Sequence, residues 1–364
     1  MIFQDLDLGE ALSAEAKLRP TEGGGKDPPE AKSFGKSSAE DLKRREMPPP
    51  PVTNCYVSIL DRVCRGRGAD MMQNALKTSG PYDELHVYEV EGRLEGFPHS
   101  WSEEGFLGCW YEGDYSFLFF CAPREGLVRG FLEGRPEARL RTAVVLPYEE
   151  WEAGGPLRPF RVGPLWVLPP WDGAEPQGGE QVIVLDPGVC FGSGHHPSTR
   201  ACLDLLVGLY GRARPRRVLD LGTGTGILAL AAARLGAERV LAVDLQPLAV
   251  ETALANVRRN GLEDVVEVRL ADAAQLLGEP SDLILANLSY DLICRLLERP
   301  WRGTGCWWIF SGVVGPQVER LKERLASLAL KILEVRGENF WFSVLASSAR
   351  QGGNVKSFVS GPGA

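Results

Sequence analysis

The chain has 364 residues, room for a small domain beside a larger one at roughly 150 residues each. Its formal charge of −8 argues against a broad basic surface for nucleic acid, and no run of about 18 apolar residues offers a membrane span. The first residues, "MIFQDLDLGEALSAEAKLRP", lack the basic region and apolar core of a signal peptide, and the eight cysteines are scattered without a C-x-x-C pair, so free thiols in the cytoplasm are expected.

Residues 1–53 mix Gly, Pro, Ser and charge with few large apolar side chains, as in "TEGGGKDPPEAKSFGKSSAEDLKRREMPPPPV". Such a stretch cannot bury enough surface to offset the entropy of ordering, so a disordered tail is expected, with Met47 as an alternative start. Over 54–147, "NCYVSIL", "YSFLFFCA" and "ARLRTAVVL" read as strands and "GADMMQNALKTSG" has helical spacing, which together predict an α+β domain with an antiparallel sheet. Lacking a cluster of Ser, His, Cys or paired carboxylates at catalytic spacing, this domain is assigned recognition rather than chemistry. Residues 148–181 are dense in Pro, Gly and Trp and read as a linker packed on both neighbours, its tryptophans either packing or forming a substrate wall.

Residues 182–349 alternate strand and helix. "RRVLDL", "RVLAVDL", "VVEVRL", "DLILANL", "GCWWIFSG", "KILEVRG" and "FWFSVLAS" read as strands. "GILALAAARLGA", "PLAVETALANVRRNG", a segment from Tyr290 to Glu298 and "GPQVERLKERLASL" read as helices. This alternation predicts an α/β fold with a doubly wound, mostly parallel, Rossmann-like sheet, ligands binding at the carboxyl ends of its strands. Residues 350–364 read as a flexible tail.

Two glycine clusters stand about 25 residues apart, "DPGVCFGSGHHPSTR" and "VLDLGTGTGILAL". Gly222, Gly224 and Gly226 follow a strand and open a helix, where bare backbone lets a ligand come close. Asp244 ends the next strand, 22 residues after Gly222, where an acid can accept hydrogen bonds from both ribose hydroxyls of a nucleoside cofactor. A dinucleotide turn has its third glycine one residue later, so a different nucleoside cofactor is favoured over a nicotinamide dinucleotide. Asn287 ends the fourth strand, where its oxygen can accept from an incoming amino group and aim its lone pair, or where it stabilises a loop. Cys190, His195, His196 and Cys202 match no common zinc spacing, and no metal is expected.

The "VLDLGTGTG" turn is similar to the first motif of S-adenosylmethionine-dependent methyltransferases, in which Asp272 of "RLADAAQLL" falls where an acidic partner for the adenine amino group often stands; helix capping is its other reading. The stretch "DPGVCFGSGHHPST" resembles the D-P-G-x-A-F-G-T-G-x-H-P-T-T signature of the PrmA family, enzymes that methylate ribosomal protein L11, and the likeness continues through "FRVGPLWVLPPW", "ANLSYDL" and "SGVVGPQVE". The resemblance implies S-adenosylmethionine as cofactor, held by Thr199, Gly222, Gly224, Asp244, Asp272 and Asn287, with the "FGSGHHPST" loop folded over it. It implies transfer to lysine or N-terminal amino groups of L11, while the acidic charge, the lack of an apolar span and the lack of a heptad seam predict a monomer that engages neither nucleic acid nor membrane. His196 matches the signature histidine and is the expected proton acceptor or amine-orienting group beside Asn287, while His195 stands where the family usually has threonine. A lysine methyltransferase acting on another protein, such as the electron-transfer flavoprotein β subunit, would show nearly the same motifs. A nicotinamide-dependent oxidoreductase or a non-catalytic cofactor-binding protein is the alternative of a different class.

Overall fold

The computed structural model describes residues 81–152, 157–174, 180–299 and 307–348. The tails expected over 1–53 and 350–364, the alternative start at Met47, the strand "NCYVSIL" and the helix in "GADMMQNALKTSG" lie outside the described residues. Among the described residues no helix is long and apolar enough to cross a membrane.

Four strands form the first sheet: β1 (Glu84–Glu91), β2 (Phe106–Glu112), β3 (Tyr115–Phe120) and β4 (Arg139–Pro147), in the order β2-β3-β1-β4 with every neighbour antiparallel. Helix α1 (Glu125–Leu132) contributes the fully buried Val128 to its core. There the Trp101 ring lies 4.8–5.5 Å from Phe106, Phe120 and Phe131, the edge-on and tilted contacts that aromatic rings favour.

The segment expected as a linker is an ordered layer of its own. After α2 (Tyr148–Glu152), strands β5 (Phe160–Val162) and β6 (Leu165–Leu168) join β7 (Gln181–Val184) in a three-stranded sheet, β5 antiparallel and β7 parallel to β6. Four consecutive buried residues in β6, Leu165, Trp166, Val167 and Leu168, explain why it is central there. Trp151 and Trp166 are buried, so of their two readings packing is the one realised. Trp151 stands edge-on to Phe119 at 5.0 Å and donates through Nε1 to the Val189 carbonyl at 3.2 Å. Tyr148 donates to the Gly188 carbonyl at 2.7 Å, so α2 rivets the first glycine-rich loop to the four-stranded sheet.

Beyond that loop come α3 (Pro197–Tyr210), β8 (Arg217–Leu221), α4 (Ile227–Arg234), β9 (Arg239–Asp244), α5 (Pro247–Arg259), β10 (Val266–Leu270), β11 (Leu283–Asn287), α6 (Tyr290–Glu298), β12 (Trp307–Val314), α7 (Gly315–Ser327), β13 (Leu330–Glu338) and β14 (Trp341–Ser348). The seven strands are ordered β10-β9-β8-β11-β12-β14-β13, parallel except for β14, which runs antiparallel between β12 and β13. This is the expected Rossmann-like sheet. Alternate residues of each strand face opposite layers: Val218, Val240 and Leu285 pack with α3, α4 and α5, while Leu219, Val243 and Ile284 pack with α6 and α7. Strand order reverses between β8 and β11, which opens a crevice at their carboxyl ends.

One helix ties these layers together through amide side chains. Asn260 accepts from Val184 N–H at 2.9 Å and donates to Val184 C=O at 2.7 Å, closing the free side of β7. Asn256, fully buried, accepts from Asp186 N–H at 3.0 Å and donates to the carbonyls of Asp186 and Thr225 at 2.8 and 2.9 Å. Gln246, just before α5, makes the same paired bonds to the N–H and C=O of Tyr111 on the edge strand β2. Replacing Asn256 by Ala leaves three backbone groups without their partner, at about 1–3 kcal/mol for each group that stays buried. The expected outcome is a fall in Tm of roughly 5 °C or more by calorimetry at neutral pH; a shift within about 1 °C would show that water replaces the amide at no cost.

Candidate functional site

The turn that follows β8 is built against the first glycine-rich loop rather than standing alone. Thr225 N–H donates to the Phe191 carbonyl at 3.2 Å, and its hydroxyl donates to the Gly192 carbonyl at 2.7 Å. At Gly224, φ is +55° and a Cβ would lie 2.5 Å from the Phe191 carbonyl oxygen, so glycine is required by both torsion and space. The two glycine clusters therefore mate backbone to backbone. Gly222 closes the other side, its N–H donating to the Val243 carbonyl at 2.9 Å and its Cα facing Leu288.

Asp244 sits at the carboxyl end of β9 with each oxygen already anchored once, Oδ2 by Gly224 N–H at 3.0 Å and Oδ1 by Gln246 N–H at 2.9 Å. Burial pushes its carboxyl above the usual range, with the backbone donors opposing. Each oxygen retains acceptor capacity for a further donor, as a pair of vicinal hydroxyls would supply. Ala271 N–H donates to the Asp244 carbonyl at 2.9 Å and so brings Asp272 near it in the chain. Asp272 caps the short 3-10 turn Ala273–Gln275 by accepting from Ala274 N–H at 2.9 Å, which realises its capping reading.

At the end of β11, Asn287 Nδ2 donates to the buried Thr199 hydroxyl at 3.2 Å. Gly312 makes room for this arrangement. It lies at the irregular register of β12 with φ +85°, where a Cβ would stand 2.3 Å from the Leu288 carbonyl oxygen and 3.3 Å from Asn287 Oδ1. His196 is the N-cap of α3: its Nδ1 accepts from Ser198 N–H at 3.2 Å and lies 2.7 Å from the Ser198 hydroxyl. Its ring is flanked edge-on by Phe191 at 5.2 Å and Trp341 at 4.7 Å. Nδ1 of the histidine expected to accept a proton or orient the amine is thus engaged in capping. His195 serves a different end. Its Nε2 accepts from Arg158 N–H at 3.1 Å and its ring stands edge-on to Phe160, 5.3 Å away, so it joins the loop to β5. Burial, followed by the charge of Arg200, holds His195 below the usual histidine range.

The structure thus brings Thr199 to Asn287, Gly224 to Asp244, and the His196 loop to Trp341, all at the carboxyl edge of the large sheet. Sequence reasoning passed over Asp220, Gly312 and Trp341. Asp220 is fully buried inside β8, accepts from the Thr223 hydroxyl at 2.6 Å, and leaves Oδ1 without a partner among the described residues. An acid in an otherwise apolar strand, "RVLDL", was the available signal. Gly222 and Gly224 are the half-buried residues of an otherwise buried turn, which leaves their backbone as the part a ligand could meet.

The match to known proteins covers this region. The family model described as Ribosomal protein L11 methyltransferase (PrmA) matches residues 145–349. A ribosomal protein L11 methyltransferase of Desulforamulus reducens is 37% identical over 191 residues, 52% of this chain and 61% of that protein. One from Exiguobacterium sibiricum is 36% identical over 184 residues, 50% of this chain and 58% of that protein. The alignments thus span only about three-fifths of these curated relatives. A solved ribosomal protein L11 methylase of Lactobacillus delbrueckii subsp. bulgaricus is 28% identical, with a TM-score of 0.46 over 52% of this chain and 98% of that one.

Burial pushes the Asp220 carboxyl up to about 7, against the smaller opposing effect of its Thr223 hydrogen bond. Because its folded pKa exceeds the unfolded one, the native state holds the proton more tightly between about pH 4 and 7, and stability falls as pH rises through that window. Asp220→Asn keeps an acceptor for Thr223 and removes the buried charge. The ligand-free variant is expected to melt above the parent by roughly 3 °C or more at pH 8, with the gap closing toward pH 5, in a pH series of thermal scans. A gap that does not change with pH would contradict this account.

Proposed function

The chain belongs to the ribosomal protein L11 methyltransferase (PrmA) family, and from that premise we propose that it transfers methyl groups from S-adenosylmethionine to lysine or N-terminal amino groups of ribosomal protein L11. The observation that carries this reading is the Asn287–Thr199 pair at the carboxyl end of β11, on the same edge as the mated glycine turn. S-Adenosylmethionine, when bound, supplies an electrophilic methyl group on a sulfonium. Gly222, Gly224 and Asp220 would hold its methionine end, Asp244 its ribose and Asp272 the edge of its adenine, with the loop before α3 closing over them.

An amino group must be neutral to act as a nucleophile, yet a lysine amine has an ordinary pKa of about 10.4. Phe191 and Trp341 beside His196 give the acceptor side an apolar wall, and desolvation there disfavours the charged amine. Thr199 holds Nδ2 of Asn287, which leaves Oδ1 to accept an N–H from the amine and direct its lone pair. His196 contributes by shaping the loop through its Nδ1 cap; with Nδ1 accepting from Ser198 N–H, the neutral ring carries its proton on Nε2, a donor that can orient a lone pair. The four-stranded sheet is assigned the grip on the protein acceptor, since β2 meets Gln246 two residues after Asp244.

The test is transfer of labelled methyl from S-adenosylmethionine to purified L11 and to a size-separated host lysate. Label in L11 is expected. Asn287→Ala should lower kcat by about a hundredfold with little change in cofactor affinity, whereas Asp244→Ala should weaken cofactor binding by about tenfold or more. Label in another protein would keep the chemistry and move the substrate; retention of full kcat by Asn287→Ala would remove Asn287 from the mechanism.

A further inference from the structure

The turn joining β13 to β14 consists of Asn339 and Phe340, both left-handed with φ of +47° and +68°. Two such residues make the tight hairpin whose twist suits the strands, and asparagine or glycine is the usual occupant. Phenylalanine is not: its Cβ crowds the backbone in this conformation. Phe340 does not recover that cost by packing, because it is 87% exposed, more than any other large apolar side chain among the described residues. A ring that is both conformationally disfavoured and uncovered has a poor account as a structural element.

Its position is informative. Glu338 pairs with Trp341 across the turn, and Trp341 pairs with Val314 at the carboxyl end of β12. Because β12 runs parallel to β11, the turn projects from the same sheet edge as Asn287. Trp341, the very next residue, stacks edge-on against His196 at 4.7 Å. Leu292, in the first turn of the helix that follows Asn287, is also exposed on this edge. The exposed Leu245, by contrast, adjoins Asp244 and so belongs to the cofactor side.

We propose that Phe340 is a substrate-contacting residue, laid against an apolar patch of the protein acceptor beside the amine to be methylated, and that it sets affinity for that protein without entering the transfer step. This rests on the methyl-transfer reading above. The occupant is the protein acceptor because the turn lies on the sheet edge that carries Asn287, one residue from the Trp341–His196 contact, and a large ring exposed on that edge is covered by the surface of a macromolecule and not by a small amine. The ring is thereby buried only in the complex, so its removal weakens binding and not chemistry.

Phe340→Gly and Phe340→Asn both suit the left-handed turn and delete the ring, and Phe340→Tyr retains it. With L11 as acceptor at saturating S-adenosylmethionine, the first two are expected to raise KM for the protein by about tenfold with kcat within about twofold of the parent. Their Tm should equal or exceed the parent's, since the strain is relieved, and Phe340→Tyr should keep the parental KM. An unchanged KM in both ring-deleting variants, or a Tm several degrees lower in both, would overturn the inference while leaving the methyl-transfer reading intact. A parent enzyme that labels no protein overturns that reading and this inference with it.

Discussion

The buried amide of Asn256 is the contact on which the site depends. Three backbone groups from two glycine-rich segments converge on it, and none of them lies in a strand or helix that could satisfy it otherwise. A loop and a turn that must both expose backbone to a ligand cannot also bury apolar side chains against each other. Hydrogen bonds to a rigid third element are the alternative, and α5 supplies one, with Arg259 donating to Asn256 Oδ1 from the next turn of the helix at 2.8 Å. The direct bonds from Thr225 to Phe191 and Gly192 then set the separation of the two segments.

The same helix explains why three sheets behave as one scaffold. Gln246, Asn256 and Asn260 each present an amide to a backbone N–H and C=O, so each substitutes for a neighbouring strand at a place where no strand can fit. Leu248 adds an apolar contact by filling the space over Gly108 in β2. The residue that opens α5 is therefore shared: Gln246 holds the four-stranded sheet with its side chain and Asp244 with its N–H. Any displacement of β2 is felt one hydrogen bond away from the acid proposed to hold ribose.

Much of this was legible in the sequence because parallel strands buried on both faces read as continuous apolar runs, as in "LILAN" and "RVLAVD", and their helices are bounded by glycine and proline. Gly222, Gly224, Asp244 and Asn287 could be placed from strand ends and the glycine turn, and Thr199 only from the resemblance of its loop to the PrmA signature. The layer of β5, β6 and β7 was not legible, since β5 and β6 are three and four residues long and sit among prolines that usually mark connectors. The asparagines of α5 were hidden for a different reason. Asn is a poor helix former and reads as a surface or terminal residue, and only the tertiary neighbours reveal why Asn256 and Asn260, one turn apart, are worth their cost in helix propensity. His195 and His196, adjacent and alike in sequence, differ wholly in partners, which spacing cannot disclose.

The two buried acids give the site its energetic character. Asp220 and Asp244 lie close enough for the charge of Asp244 to help raise the pKa of Asp220, after burial, and Asp220 Oδ1 has no partner among the described residues. Packing alone would favour an amide or an apolar side chain at Asp220, because among the described residues its carboxyl accepts one side-chain hydrogen bond, from Thr223. Asp220 is enclosed, so a cationic group bound in the crevice would act on it through its charge rather than by contact, favouring the ionised form of both acids. Such a pair would favour the proposed sulfonium cofactor, with its ammonium, over an anionic pyrophosphate at the same turn, which both acids would repel.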